Sequence, residues 1–178
     1  VTYRIRRAGL ADVPVVLDLV AGATAWLAMR GSDQWQYSPR VDRIEGSAAA
    51  GELWLVDDAV GQPIATVTVD RNADPEFWDE NDVPGDALYL HRLVVDRVAA
   101  GRHLGVAVLD WASRRAAAAG VRWLRLDAWA SNTDLHRYYT DQGWIHVRTL
   151  TLPHRGSGAL FQRPAGEQTG SGPEIVEK

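Results

Sequence analysis

The chain contains no cysteine. That excludes a disulfide framework, a thiolate nucleophile and a cysteine-based zinc site. The five histidines do not fall at metal-ligand spacing, so no metal is expected. An excess of positive charge is missing too. Lys and Arg number 19 against 23 Asp and Glu, a net charge of −4, and no basic stripe runs along the chain. Nucleic acid is therefore not an expected partner. No apolar run approaches a transmembrane span and the opening Val1-Thr2-Tyr3-Arg4 is not a signal peptide, so no membrane partner is expected and a cytoplasmic location follows by default. There is no Gly-x-Gly-x-x-Gly, no Gly-Lys-Ser/Thr and no suitably placed ribose acid, which disfavours an ATP- or NAD-binding α/β protein.

What is present fits one globular domain. The 178 residues are 46% hydrophobic and 24% charged, with eight tryptophans, some of which could line a pocket. Tyr3-Arg4-Ile5-Arg6 alternates as a first strand. Asp12 is placed to cap a helix with Pro14 in its first turn, and Val13, Val16, Leu17, Val20, Thr24 and Leu27 mark one helical face. A shorter helix is predicted over 40–50, then a hairpin pair at 53–56 and 64–69. Residues 71–86 form a long acidic connection. From Pro164 onward the composition predicts a disordered tail, so the domain is expected over 1–163 and the tail over 164–178.

The most informative stretch follows. Leu88 to Val95 is an apolar strand, and a small-residue loop carries Arg102-x-x-Gly105-x-Ala107. The chain then turns helical, with Leu104, Val108, Leu109, Ala112, Ala116 and Ala119 at helical spacing. Strand, glycine-bearing loop and helix start together present backbone N–H groups and a positive helix end to a phosphate. A short glycine motif alone more often marks an ordinary turn. After Gly120, residues 121–129 alternate as a half-buried strand. Asn132, a short amphipathic segment with Leu135, Tyr138 and Tyr139, and then Gly143-Trp144 complete the pattern.

Asn132, six residues, Tyr139, three residues, Gly143-Trp144 resembles the second signature of the GNAT acetyltransferase superfamily. Arg102-x-x-Gly105-x-Ala107 resembles its acyl-CoA pyrophosphate motif. Two signatures in the right order, separated by a helix and a strand, are far more specific than either alone. The resemblance spans about residues 3–163 and is clearest over 88–146. It implies an α/β fold (α+β mixed sheet): a twisted, mostly antiparallel sheet of six to seven strands with about four helices on both faces. The expected order is βααβββαβαββ.

The resemblance also implies an acetyl-CoA-dependent N-acetyltransferase and assigns roles to residues. The pyrophosphate falls to Gly101, Arg102, His103, Leu104, Gly105, Val106 and Ala107. The Leu93 N–H faces the thioester carbonyl, and Val94 and Val95 belong to the strand on which Val95 holds the pantetheine arm. Asn132 either hydrogen-bonds that arm or caps the short helix, the commoner use of such an Asn. Tyr139 matches the general acid, with Tyr138 beside it expected to be the buried structural tyrosine. The chain departs from the family in two ways here: His103 stands where most members have glycine, and the segment from Val95 to Arg102 is about two residues longer.

The acceptor must be a deprotonated amine, and freeing a lysine-like amine at pH 7 costs about 4.6 kcal/mol. Many family members carry a Glu at the position of Tyr89. His91, two residues on, lies on the same face of the pleat, and an imidazole titrating near about 6.5 suits a general base. Asp127 on the facing strand is a weaker alternative. Trp35, Tyr89 and Asp127 are the candidate substrate-binding residues. The acidic 71–86 connection would favour a cationic substrate if it reached the acceptor mouth, although a solvated charged loop is the commoner use of such a run. The expected acceptor is a primary amine of a small molecule, attacked directly in a ternary complex, and a homodimer is compatible with the pattern. The alternatives are acetylation of a protein N-terminus or lysine, or a non-catalytic acyl-CoA-binding module.

Overall fold

Strand β1 (Tyr3–Arg7) shows how the pattern becomes structure: Tyr3 and Ile5 are buried while Arg4 lies at the surface. The fold is described from a computed structural model covering residues 2–178. The elements that follow are α1 (Val13–Met29), α2 (Val41–Ala49), β2 (Leu53–Asp57), β3 (Pro63–Asp70), β4 (Ala87–Val95) and α3 (Leu104–Ala118). Then come β5 (Trp123–Trp129), α4 (Thr133–Asp141), β6 (Ile145–Thr149), β7 (Ser157–Pro164) and β8 (Ile175–Glu177). The expected order is reproduced, with four α-helices, and β8 raises the strand count to eight rather than six or seven.

Contacts divide the chain into two compact units. One comprises Val1–Val69, Arg92–Val108 and Ser171–Lys178; the other comprises Asp70–His91 and Leu109–Gly170. In the first, β2 pairs antiparallel with β1 and β3, and β8 pairs parallel with β1. The Asp96 N–H donates to the Ile64 carbonyl at 2.8 Å, just beyond the end of β4. Val13, Val16 and Leu19 of α1 pack with Ile44 and Ala48 of α2 on Leu53, Leu55 and Val94. Each large apolar side chain buried this way contributes about 1.5–3 kcal/mol. Contrary to the sequence expectation, Leu10–Met29 is apolar and long enough to cross a membrane, with mean hydropathy 1.6 over 20 residues. Its Val13, Val16 and Leu19 are core residues here. Asp12 precedes α1 without capping it by its side chain. Its carboxylate accepts from the Gly9 N–H at 2.9 Å and from Arg6 at 3.1 Å.

In the second unit β4 pairs parallel with β5 through Ala87 to Leu90, β5 pairs antiparallel with β7, and β7 with β6. The acidic connection is not a solvated loop throughout. Phe77 and Trp78 are buried with Ala87, Tyr89 and Leu160. Arg148 donates to both oxygens of Asp82 at 2.9 and 2.6 Å, and Arg155 donates to Asp74 and Glu76 at 2.8 and 2.9 Å. The Arg148 guanidinium holds the Asp82 carboxyl below its ordinary range. Much of the negative field expected from this stretch is thus answered internally.

The segment after Pro164, read from composition as a disordered tail, has a defined path. The Thr169 and Gly170 N–H groups donate to the buried Asp110 carboxylate at 2.9–3.1 Å. Gly172 runs so close to α3 that a β-carbon there would lie 2.7 Å from the Ala107 nitrogen. The Tyr3 N–H donates to the Glu174 carbonyl at 2.9 Å, leading into β8. A polar, glycine-rich segment is ordered here by partners far away in sequence.

Candidate active site

β4 changes direction partway along its length. Its ladder to β5 ends at Leu90, and Arg92 adopts φ +49, in the left-handed region. A non-glycine residue held there costs about 1–2 kcal/mol, and the conformation re-aims the backbone that follows. The residues after the break are Leu93 and Val95, half-buried, and Val94, whose side chain is in the core.

The two extra residues between Val95 and Arg102 are taken up by a 3-10 turn over Arg97–Ala99, capped by Asp96, whose carboxylate accepts from the Val98 N–H at 3.0 Å. The Arg97 guanidinium stacks 4.3 Å from the Trp26 ring and ties this turn to α1. Gly101 (φ +76) and His103 (φ +55) are both left-handed, so the position where relatives carry glycine keeps a glycine-like backbone. His103 is exposed, as are Gly101 and Arg102. We therefore expect His103→Val to destabilise the fold by about 1–2 kcal/mol and His103→Gly to be neutral or stabilising. Urea midpoints would check this, and a valine variant as stable as the glycine one would refute it.

At the start of α3 the Ala107 N–H makes a helical bond to the His103 carbonyl at 3.2 Å. The amides of Leu104, Gly105 and Val106 lie ahead of that bond, where helix geometry provides no intrahelical acceptor. Leu104 and Val106 have buried side chains, and Gly105 is half-exposed. What this turn can offer a phosphate is therefore backbone, at the positive end of a 15-residue helix. Ala107, counted among the phosphate binders from sequence, has its amide engaged in the helix.

Trp35 lies in the same unit, with φ +59, and lines a cavity of about 380 Å³ together with Val20, Tyr37, Arg43, Ile44 and Arg92. Because Arg92 is also the residue at the break in β4, the cavity wall is continuous in sequence with Leu93.

The second unit holds the other candidates. His91 Nε2 lies 3.2 Å from Asp70 Oδ1, with the His91 side chain 27% exposed and that of Asp70 8%. The same carboxylate oxygen accepts from the Asn72 N–H at 2.8 Å. Asp70 was missed from the sequence because it closes β3, 21 residues before its partner; an acid ending an apolar strand was the one available signal. Tyr89 is buried. Its hydroxyl donates to the Pro84 carbonyl at 2.9 Å and accepts from Arg125 at 3.3 Å, so its side chain is a core element rather than a substrate contact. Asp127 accepts a hydrogen bond from the Ser157 hydroxyl.

Tyr139 sits on α4 with its ring against Phe161, Trp144 and Tyr138, and is 6% exposed. Burial pushes its phenol well above the usual tyrosine range, so it keeps its proton. The expectation for Tyr138 is reversed: it is 37% exposed, and Tyr139 is the buried one. Asn132 caps α4, its Oδ1 accepting from the Leu135 N–H at 3.0 Å. Among the described residues no His, Cys, Asp or Glu group is arranged to hold a metal.

Known proteins resemble this arrangement. Over 138 residues the chain is 29% identical to the uncharacterized N-acetyltransferase YesJ of Bacillus subtilis (strain 168), a match spanning 75% of this chain and 76% of that protein. A GNAT-family acetyltransferase from Listeria monocytogenes 4b F2365 superposes with a TM-score of 0.75 at 25% identity, over 91% of this chain and 94% of that one. One from Streptococcus agalactiae 2603 gives 0.70 at 19% identity over 91% and 95%, a likeness of fold alone. Residues 23–144 match the model of the Acetyltransferase (GNAT) family. A match over more than half of the sequence makes this chain a member of the GNAT acetyltransferase family.

Proposed function

We propose that the chain moves the acetyl group of acetyl-CoA to the primary amine of a small molecule, by direct attack in a ternary complex. Acetyl-CoA is the family's co-substrate and supplies an activated thioester. The observation that carries the reading is the first turn of α3, where three amides precede the first helical bond beside an exposed loop. That is a donor set suited to a pyrophosphate, and it fits the cofactor without asking anything of the buried Leu104 and Val106 side chains.

The remaining roles follow from chemistry. The Leu93 N–H stabilises charge developing on the thioester oxygen, an interaction worth about 2.7–4 kcal/mol in an oxyanion hole. His91 accepts the proton lost by the attacking amine. With Nε2 turned toward Asp70, the basic nitrogen is Nδ1, and the carboxylate steadies the imidazolium that forms. Tyr139 gives its proton to the departing sulfur. Full transfer from a phenol of raised pKa to a thiolate is uphill, so this is a strong hydrogen bond completed as the product leaves. A covalent acetyl-enzyme on a thiol is excluded by the absence of cysteine.

Calorimetry tests the grip on the cofactor. Acetyl-CoA should bind about tenfold or more tighter than S-acetyl-pantetheine, which lacks the pyrophosphate, since even one charge-assisted hydrogen bond is worth about 1.5–3 kcal/mol. Gly105→Val should remove most of that advantage by placing a branched side chain in the phosphate approach. Equal affinity for the two ligands would sink the reading.

A further inference from the structure

We infer that the acceptor amine carries an anionic group, a carboxylate or a phosphate, and that the cavity beside β4 selects for it through Arg43. The inference rests on the acetyl-transfer reading above and adds the substrate class. Three arginines, Arg40, Arg43 and Arg92, line the cavity, and no Asp or Glu does. Arg40 is answered by Asp42, whose carboxylate it meets at 3.1 and 3.2 Å. Arg43 has no carboxylate partner among the described residues. It follows Arg40 by three positions at the start of α2, its N–H donating to the Arg40 carbonyl at 3.1 Å, so the two guanidiniums rise from one turn of helix. A planar guanidinium offers a paired donor edge that matches carboxylate and phosphate oxygens.

The rest of the wall is flat and apolar, with Trp35, Tyr37, Ile44 and Val20. It suits an acceptor with a carbon skeleton between its amine and its anion, at a volume of about 380 Å³. Arg92 connects this wall to the reacting strand, being the residue immediately before Leu93. The acidic 71–86 stretch, which would favour a cationic acceptor only if it reached the acceptor mouth, spends Asp74, Glu76 and Asp82 on Arg148 and Arg155. Arg43 thus brings to the cavity wall a guanidinium with no carboxylate partner among the described residues.

The reaction stays balanced: the acetyl carbon gains a bond to nitrogen and loses one to sulfur, the amine gives up one proton, and the thiolate takes one. The anion takes no part in bond making, so its recognition belongs to KM for the acceptor.

Matched pairs of acceptors test this, read by thiol release with saturating acetyl-CoA. One arm sets free amino acids of aromatic and aliphatic type against their α-carboxamides; the other sets phosphoethanolamine against ethanolamine. A carboxamide makes the neighbouring amine less basic, so chemistry alone favours the amide. The expected result is about tenfold or more higher kcat/KM for the anionic member of one arm, and that arm identifies the anion. Arg43→Ala should raise KM for the anionic acceptor about tenfold with kcat and acetyl-CoA affinity unchanged, and Arg43→Lys should restore part of it. Arg43 is exposed, so these changes leave the core intact. Preference for the neutral members, failure to acetylate any anionic one, or an Arg43→Ala effect equal on both kinds would overturn the inference while acetyl-CoA still binds. Loss of acetyl-CoA binding itself, read by calorimetry on the unsubstituted protein, would instead overturn the acetyl-transfer reading and this inference with it.

Discussion

Replacing Tyr139 with phenylalanine is expected to lower kcat by about 10²-fold or more while changing KM for acetyl-CoA little. In the proposed mechanism the hydroxyl acts when the sulfur departs, so its loss falls on the transition state rather than on ground-state binding. Burial raises the phenol's pKa, which fixes the sign of any pH effect. As pH rises, Tyr139 keeps its proton past the point where an exposed tyrosine would begin to lose it, near about 10. No alkaline limb from Tyr139 is then expected between pH 6 and 9, and the phenylalanine variant should be low across that whole range. Tyr138→Phe is the control. Its ring lies at the surface of α4, and kcat should stay within about twofold of the parent. A reversed pattern, with Tyr138→Phe slow and Tyr139→Phe normal, would mean that the second signature has been matched one residue out of register.

That pair also shows where sequence reading reaches its limit. The spacing from Asn132 to Tyr139 to Gly143-Trp144 was legible because each residue answers a local rule: a helix cap, a helical face and a left-handed glycine (φ +79) closing the helix. Which of two adjacent tyrosines is buried depends on the ring positions of Phe161 and Trp144, and helical spacing from Leu135 alone left Tyr138 equally eligible. The strand and helix flanking the loop at 96–103 were legible through periodicity. The left-handed backbone at Arg92 and His103 was not, because neither residue type signals it. The acidic connection misled for a different reason. Its charges were visible, but Arg148 and Arg155, 66 and 81 residues beyond the acids they bind, were not. Composition misjudged the last segment for the same reason, since what orders it is Asp110 at a separation of about 60 residues. Local rules placed the elements, and long-range pairing decided which polar groups were already engaged.

The His91–Asp70 pair is the part of the proposed site most dependent on long-range pairing, and it carries the second large prediction. If His91 takes the amine proton, kcat/KM should rise with pH through a single acidic limb, because only the unprotonated imidazole can accept. His91→Ala should lower kcat/KM by about 10²-fold near neutral pH and remove that limb. Activity would then recover only as pH approaches the amine's own pKa, where hydroxide and solvent do the base's work. Asp70→Asn is the finer probe. An amide at that position can still hydrogen-bond the ring but no longer stabilises an imidazolium 3.2 Å away, so kcat/KM should fall while KM for acetyl-CoA stays put. Combining the two substitutions should cost little more than His91→Ala alone, since Asp70 acts only through the imidazole. Additive losses would show that Asp70 serves the fold at the end of β3 independently of His91. A pH profile unchanged in His91→Ala would remove the histidine from the mechanism altogether and leave Asp127 or an amine already deprotonated on arrival to account for the chemistry.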